Sequence, residues 1–146
     1  MGFTYPAFNQ IISHVARMRN RSRGRYNLPM VIHAPYGGGI RALEHHSEST
    51  EAIYAHIPGL KVVIPSTPYD AKGLLIAAIR DPDPVLFLEP KRIYRAFKQE
   101  VPEKAYELPI GKAKIVEEGE DVTIITWGAM VRDVQKASEM VKEKGI

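Results

Sequence analysis

Apolar residues fall along this chain in two rhythms, and the alternation between them predicts the fold. Phe8, Ile11, Ile12, Val15 and Met18 recur at helical spacing, which predicts a helix with one side on a core. Arginines gather at the end of that stretch, where they complement the negative pole of a helix dipole. Met30-Val31-Ile32, after Pro29, is a short apolar run and predicts a buried strand; the glycine-rich loop Pro35-Tyr36-Gly37-Gly38-Gly39 follows it. Glu51 to Ile57 predicts a short helix, stopped by Pro58-Gly59. Lys61-Val62-Val63-Ile64 is apolar and β-branched, the mark of a second buried strand. Thr67-Pro68-Tyr69-Asp70 has the features of a helix start: an N-cap hydroxyl, proline in the first turn and an acid near the positive pole. That helix runs to about Arg80, where Asp81-Pro82-Asp83-Pro84 ends it, and Val85 to Leu88 is a third buried strand. Near-continuous apolar strands separated by helices predict an α/β fold, a parallel sheet flanked by helices, with strands at about 29–34, 61–65 and 84–89.

The texture changes after Glu89. Residues 91–112 are mixed, charged and proline-containing, which suits a linker or crossing segment between a first unit, 1–90, and a second, 113–146. In the second unit Lys114-Ile115-Val116 and Val122 to Thr126 are expected strands. Trp127-Gly128 then turns into a helix with Val131, Val134, Ala137 and Val141 on one face. It is expected to end at Lys144-Gly145, with Ile146 opening the next strand. A strand and helix without a returning strand leave a parallel unit open, so this second α/β unit is expected to be cut off.

Composition narrows the function classes. The chain has 146 residues, 45% of them apolar, enough for a packed core. Its longest apolar run, Leu74 to Ile79, is far short of the roughly 20 residues that cross a bilayer, and no membrane partner is expected. No signal-peptide pattern is present, and a cytoplasmic location is expected, or the mitochondrial matrix in a eukaryote. The absence of cysteine excludes disulfides, thiolate nucleophiles and Cys-ligated zinc. Net charge is +3, with five arginines between Arg17 and Arg25. That cluster could hold phosphates, nucleic acid included, or be a solvated helix end or a subunit contact. No reading motif or aromatic platform accompanies it, which argues against nucleic acid.

Three places could carry chemistry. The Gly37–Gly39 loop could approach a ligand closely; it matches neither phosphate-binding glycine pattern, so a plain turn is equally consistent. In Glu44-His45-His46-Ser47-Glu48-Ser49, two adjacent histidines lack the spacing of a paired metal site. One of them could donate a proton or a hydrogen bond to a developing oxyanion, or be a solvated loop residue. Asp81 and Asp83 could hold a cation through oxygen ligands, or simply bond to the backbone of their own turn.

Several stretches, taken together, resemble one family. They are Gly2-Phe3-Thr4-Tyr5-Pro6-Ala7-Phe8, Arg23-Gly24-Arg25-Tyr26, Ala34 to Gly39, His46-Ser47-Glu48-Ser49, the long run from Gly59 to Leu75, and Phe87-Leu88-Glu89-Pro90-Lys91. The chain is similar, in order and almost throughout, to the β subunit of the E1 component of pyruvate and branched-chain 2-oxo acid dehydrogenases. The resemblance implies a transketolase-like pyrimidine-binding domain, truncated at its N-terminal side, and the start of a transketolase C-terminal domain. It also implies an α2β2 assembly in which thiamine diphosphate lies between the subunits, its diphosphate and Mg²⁺ on the α subunit. The implied reaction is oxidative decarboxylation of a 2-oxo acid and transfer of the acyl group to a lipoyl arm of the E2 acyltransferase.

Residue by residue, His46 matches the active-site histidine of that family, and Phe3 the aromatic residue against the aminopyrimidine. A structural potassium site maps onto Leu28, Met30, Val31, Ala78, Asp81 and Asp83, mainly through backbone carbonyls in the first three. His33 stands where the family usually has arginine. The glutamate that protonates the aminopyrimidine is expected upstream of Phe3 and is not in this chain. The chain alone is therefore expected to lack decarboxylase activity. The alternative is a non-catalytic, truncated remnant that only binds a partner subunit.

Overall fold

The three apolar runs do become strands, and they pair in parallel. The computed structural model describes residues 2–143 and 145. Strands β1 (Val31–Tyr36), β2 (Lys61–Val63) and β3 (Val85–Pro90) form one sheet in the order β1-β3-β2. Val31 and Lys61 both stand beside Val85, and His33 and Val63 both stand beside Phe87. β3 is central, and Val85, Leu86, Phe87 and Leu88 are each 1% exposed or less. That explains its unbroken apolar sequence: a strand covered on both faces has no polar side. β1 runs two residues past its expected end, through Pro35 and Tyr36, so the glycine loop starts only at Gly37.

Each face of the sheet has its own core. Ala34, Tyr36, Leu86 and Leu88 pack with Ile11, Ala16, Tyr54 and Leu60 on one side. Val63, Val85 and Phe87 pack with Ala78 on the other, joined by Leu74, Leu75 and Ile110. The N-terminal helical stretch is less regular than its spacing suggests. A 3-10 segment (Gly2–Ala7) leads into α1 (Phe8–Gln10), a π-helical turn (Ile11–Val15) and α2 (Met18–Arg21). The π turn, closed by Ala16 N donating to Ile11 O at 2.9 Å, adds a residue to the helical repeat. Ala16 is thereby buried, and Met18, expected on the apolar face, is 37% exposed.

Helix α3 (Glu51–Ala55) is shorter than expected by two residues. Helix α4 (Pro68–Arg80) begins as its sequence predicts: the Thr67 hydroxyl accepts from Asp70 N at 3.0 Å, and Pro68 occupies the first turn. A glycine inside that helix, Gly73, has a packing cause. A Cβ there would lie 2.7 Å from both Leu108 Cγ and Tyr106 Cε2. The segment after β3 crosses α4 at this point, with Leu108 N donating to Gly73 O at 3.2 Å and Tyr106 stacked on Tyr69 at 4.5 Å.

The second unit departs from expectation. Lys114–Val116 and Val122–Thr126 carry no strand. Ile115 is 69% exposed and Ile125 83%. A strand needs a ladder partner, and neither segment has one among the described residues. Helix α5 (Met130–Lys142) forms as expected, with none of its residues buried. Its expected end at Lys144, and the strand expected at Ile146, lie outside the described residues. Among the described residues no helix is long and apolar enough to cross a membrane.

Candidate functional site

Parallel α/β sheets receive ligands beyond the carboxyl ends of their strands. At that end of this sheet lie the glycine loop after β1, the histidine segment and the residues after β3. The 3-10 segment places Phe3 beside the histidines. Gly2 is buried with its backbone against that of His45, where an added Cβ would sit 3.0 Å from His45 O. The Phe3 ring is 73% exposed, and His46 meets it edge-on at 5.7 Å between centroids. His45 lies at 6.2 Å from the same ring, tilted, with Nε2 3.6 Å from Glu44 Oε1.

His46 closes a 3-10 turn (Glu44–His46), its N–H donating to Leu43 O at 2.9 Å. The loop around it is held by short contacts. Ser47 Oγ donates to Ala42 O at 2.7 Å, and Gly37 N donates to Glu48 O at 2.8 Å. Tyr5 donates to Glu48 Oε2 at 3.1 Å; desolvation and this carboxylate raise the phenol above its ordinary pKa. Lys91 Nζ donates to the His46 carbonyl.

Behind the loop, Tyr36 and Trp127 both donate to Glu51 Oε1, at 3.2 and 3.4 Å. Burial, then Glu51, pushes the Tyr36 phenol up to about 12. Among the described residues, Thr50 Oγ1 and Glu51 Oε2 are buried without a hydrogen-bond partner. The sequence assigned no role to Glu51, Tyr36, Trp127, Lys91 or Arg92. Lys91 stood in a stretch that carried the resemblance, but its partner is 45 residues away in the chain.

His33, at the position where arginine was expected, places Nε2 2.7 Å from Glu89 Oε1 and packs edge-on against Phe87 at 5.3 Å. Tyr94 donates to the other oxygen of Glu89 at 2.6 Å; burial, then that carboxylate, raises the phenol above its ordinary pKa.

The six residues of the implied potassium site gather at the opposite, amino edge of the sheet. Leu28 and Met30 precede β1, Val31 opens it, Ala78 is in the last turn of α4, and Asp81 and Asp83 precede β3. Oxygens of four of the six already have partners. Met30 O accepts from Val85 N at 2.9 Å, and Ala78 O accepts from Asp81 N at 3.3 Å. Lys61 Nζ lies 2.7 Å from both Asp81 oxygens and 3.5 Å from Asp83 Oδ2. Arg19 donates to Asp83 at 2.7 Å and, with Lys61, holds that carboxyl below its ordinary pKa. Among the described residues no group of three or more His, Asp or Glu could hold a metal.

The parallel sheet and its two cores form an α/β domain whose carboxyl edge carries Phe3 beside His46. Residues 1–96 match the transketolase pyrimidine-binding domain, and residues 111–146 the transketolase C-terminal domain. The chain belongs to the transketolase pyrimidine-binding family. Its relatives narrow the branch. It is 64% identical over 145 residues to the pyruvate dehydrogenase E1 β subunit of Acholeplasma laidlawii, covering 99% of this chain and 44% of that protein. It is 56% identical over 147 residues to the same subunit of Mycoplasma genitalium, covering 99% and 45%. It is also 56% identical over 144 residues to the 2-oxoisovalerate dehydrogenase β subunit of Bacillus subtilis, covering 99% and 44%. The chain thus spans less than half the length of these relatives.

Proposed function

We propose that this chain supplies the β-subunit side of the active site in a thiamine-diphosphate-dependent 2-oxo acid dehydrogenase E1. In this reading it works with an α subunit in an α2β2 assembly and delivers an acyl group to a lipoyl-bearing E2. One observation carries the reading: Phe3 and His46, 43 residues apart in sequence, meet at the carboxyl edge of the sheet.

The residues suit the pyrimidine end of thiamine diphosphate. Phe3 offers an open aromatic face for a flat heterocycle. Bound there, the cofactor would supply the electron sink for decarboxylation. His46 holds or passes a proton at an imidazole nitrogen beside that ring, or donates a hydrogen bond to the substrate carboxylate. Its carbonyl and amide are both tied down, so the side chain swings from a fixed backbone. The oxygen donors of Leu28, Met30, Val31, Ala78, Asp81 and Asp83 suit a hard cation such as potassium. Any such ion shares Asp81 and Asp83 with the Lys61 ammonium and lies at the edge away from His46, so its role is structural.

A graft tests the reading. The matching segment of the Acholeplasma laidlawii β subunit is replaced by this chain and the product combined with its α subunit. Reduction of an artificial electron acceptor is then followed with pyruvate or 2-oxoisovalerate. Turnover of one of them that requires thiamine diphosphate is expected. An assembled graft that turns over neither would contradict the proposal and favour a purely partner-binding role.

A further inference from the structure

Directly after β3 the chain makes a 3-10 turn, Lys91–Ile93. With about three residues per turn, successive side chains diverge by roughly a third of a circle. Lys91 and Arg92 therefore leave the same rigid strand end in different directions. Lys91 reaches the His46 carbonyl. Arg92 lays its stem across the glycine loop: a Cβ on Gly39 would lie 2.9 Å from Arg92 Cδ and 3.1 Å from Cγ. Its guanidinium continues to α5, where it holds Asp133 with its two terminal nitrogens, at 2.6 and 3.2 Å.

We propose that Lys91 and Arg92 are positioning residues for His46, fastening the loop from Gly37 to Ser49 to the end of β3 and, through Asp133, to α5. The functional meaning of the clamp rests on the E1 reading; its existence does not. The loop has little regular structure of its own, and its only helical turn spans Glu44–His46. Its own bonds, Ser47 Oγ to Ala42 O and Gly37 N to Glu48 O, flank the histidine, and Lys91 adds a fastening from outside the loop at the His46 carbonyl itself. Lys91 supplies a charge-assisted hydrogen bond to that backbone, stronger than a neutral one. Arg92 fixes the other limb of the loop sterically, because the glycine at position 39 lets its stem lie flat. The two-pronged bond to Asp133 makes the arrangement directional, and lysine at position 92 could not reproduce it. The proposal also connects the two units of the chain: the helix of the second braces the histidine loop of the first.

The test is residue-resolved amide hydrogen exchange on the full chain, measured by NMR without cofactor or partner. In Lys91→Met, the His46 and Ser47 amides are expected to exchange about tenfold faster, the scale of one charge-assisted hydrogen bond. The Asp70 amide, bonded to Thr67 in a distant cap, serves as reference and should not change. Lys91→Arg, which keeps a cation at the position, should restore slow exchange. Arg92→Gln and Asp133→Asn should both loosen the same loop. Unchanged His46 and Ser47 exchange in Lys91→Met would overturn the proposal. So would equal acceleration at Asp70, which would mark general destabilisation. Because the readout needs no E1 activity, an inactive graft would overturn the functional reading and leave the clamp standing, and the reverse holds equally.

Discussion

Replacing Gly73 by alanine sets two effects of opposite sign against each other. In a helix interior alanine is favoured over glycine by about 1 kcal/mol, so propensity alone predicts a more stable protein. Gly73 lies in the middle of α4. The new Cβ, however, would sit 2.7 Å from Leu108 Cγ and from Tyr106 Cε2. Carbon atoms in ordinary contact stand about 3.5–4.0 Å apart, so each approach is too close by roughly 1 Å. Neither atom is the free end of a flexible chain. One is the branch point of leucine, the other a ring carbon of a tyrosine stacked on Tyr69 and bonded to Tyr69 O at 2.8 Å. The crossing segment must lift, which weakens the stack, that hydrogen bond and the Leu108 N to Gly73 O bond. Overpacking of this kind costs about 1–3 kcal/mol, and each lost contact adds about 1 kcal/mol. The loss outweighs the propensity gain, and Gly73→Ala should destabilise the chain by about 1 kcal/mol or more. Urea unfolding followed by circular dichroism measures it as a lower midpoint at unchanged slope. In a background carrying Tyr106→Ala and Leu108→Ala the clash is gone, and Gly73→Ala should become neutral or stabilising. A raised midpoint for Gly73→Ala in the unaltered background would refute the reasoning.

Two further outcomes follow from other close contacts. Gly59 combines a φ of +92° with a backbone obstacle, since a Cβ there would lie 2.0 Å from Ala16 O. Gly59→Ala should cost about 3 kcal/mol or more and is expected to yield little folded protein; a well-folded variant with an unchanged urea midpoint would contradict this packing. Tyr36 keeps its proton in the folded state up to about pH 12, against 10.0 when unperturbed. Between those values the native state binds more protons than the unfolded one, so stability should fall as pH rises through that window. Tyr36→Phe should flatten that part of the stability profile, and an unchanged slope would exclude Tyr36 as its source.

The sheet was readable because its strands carry their environment in their composition. Val85 to Leu88 has no polar residue and is buried on both faces, and Thr67-Pro68 announces the start of α4 by local hydrogen bonding alone. What was misread depended on partners elsewhere in the chain. Val122 to Thr126 has the composition of a strand, yet composition cannot supply a neighbour to pair with. The π turn at Ile11–Val15 replaces Met18 with Ala16 on the buried side, a change that helical spacing does not encode. Phe3 and His46 were singled out as candidates through motif resemblance, not through spacing, which left the histidines indistinguishable from solvated loop residues. Lys91 and Arg92 had no local signature at all, since their partners lie 45 and 41 residues away.

In the proposed E1 reading His46, and not its neighbour, serves the chemistry. Both imidazoles lie near Phe3, so proximity alone does not separate them. His46 has its carbonyl held by Lys91, whereas the His45 ring lies beside the Glu44 carboxylate. In the grafted β subunit assembled with its α subunit, acyl transfer to a lipoyl domain should be measured for His46→Ala and His45→Ala side by side. His46→Ala should slow transfer by about 10²-fold or more, the scale of a lost proton donor, while His45→Ala stays close to the parent. Equal losses in the two variants, or a larger loss in His45→Ala, would contradict the assignment.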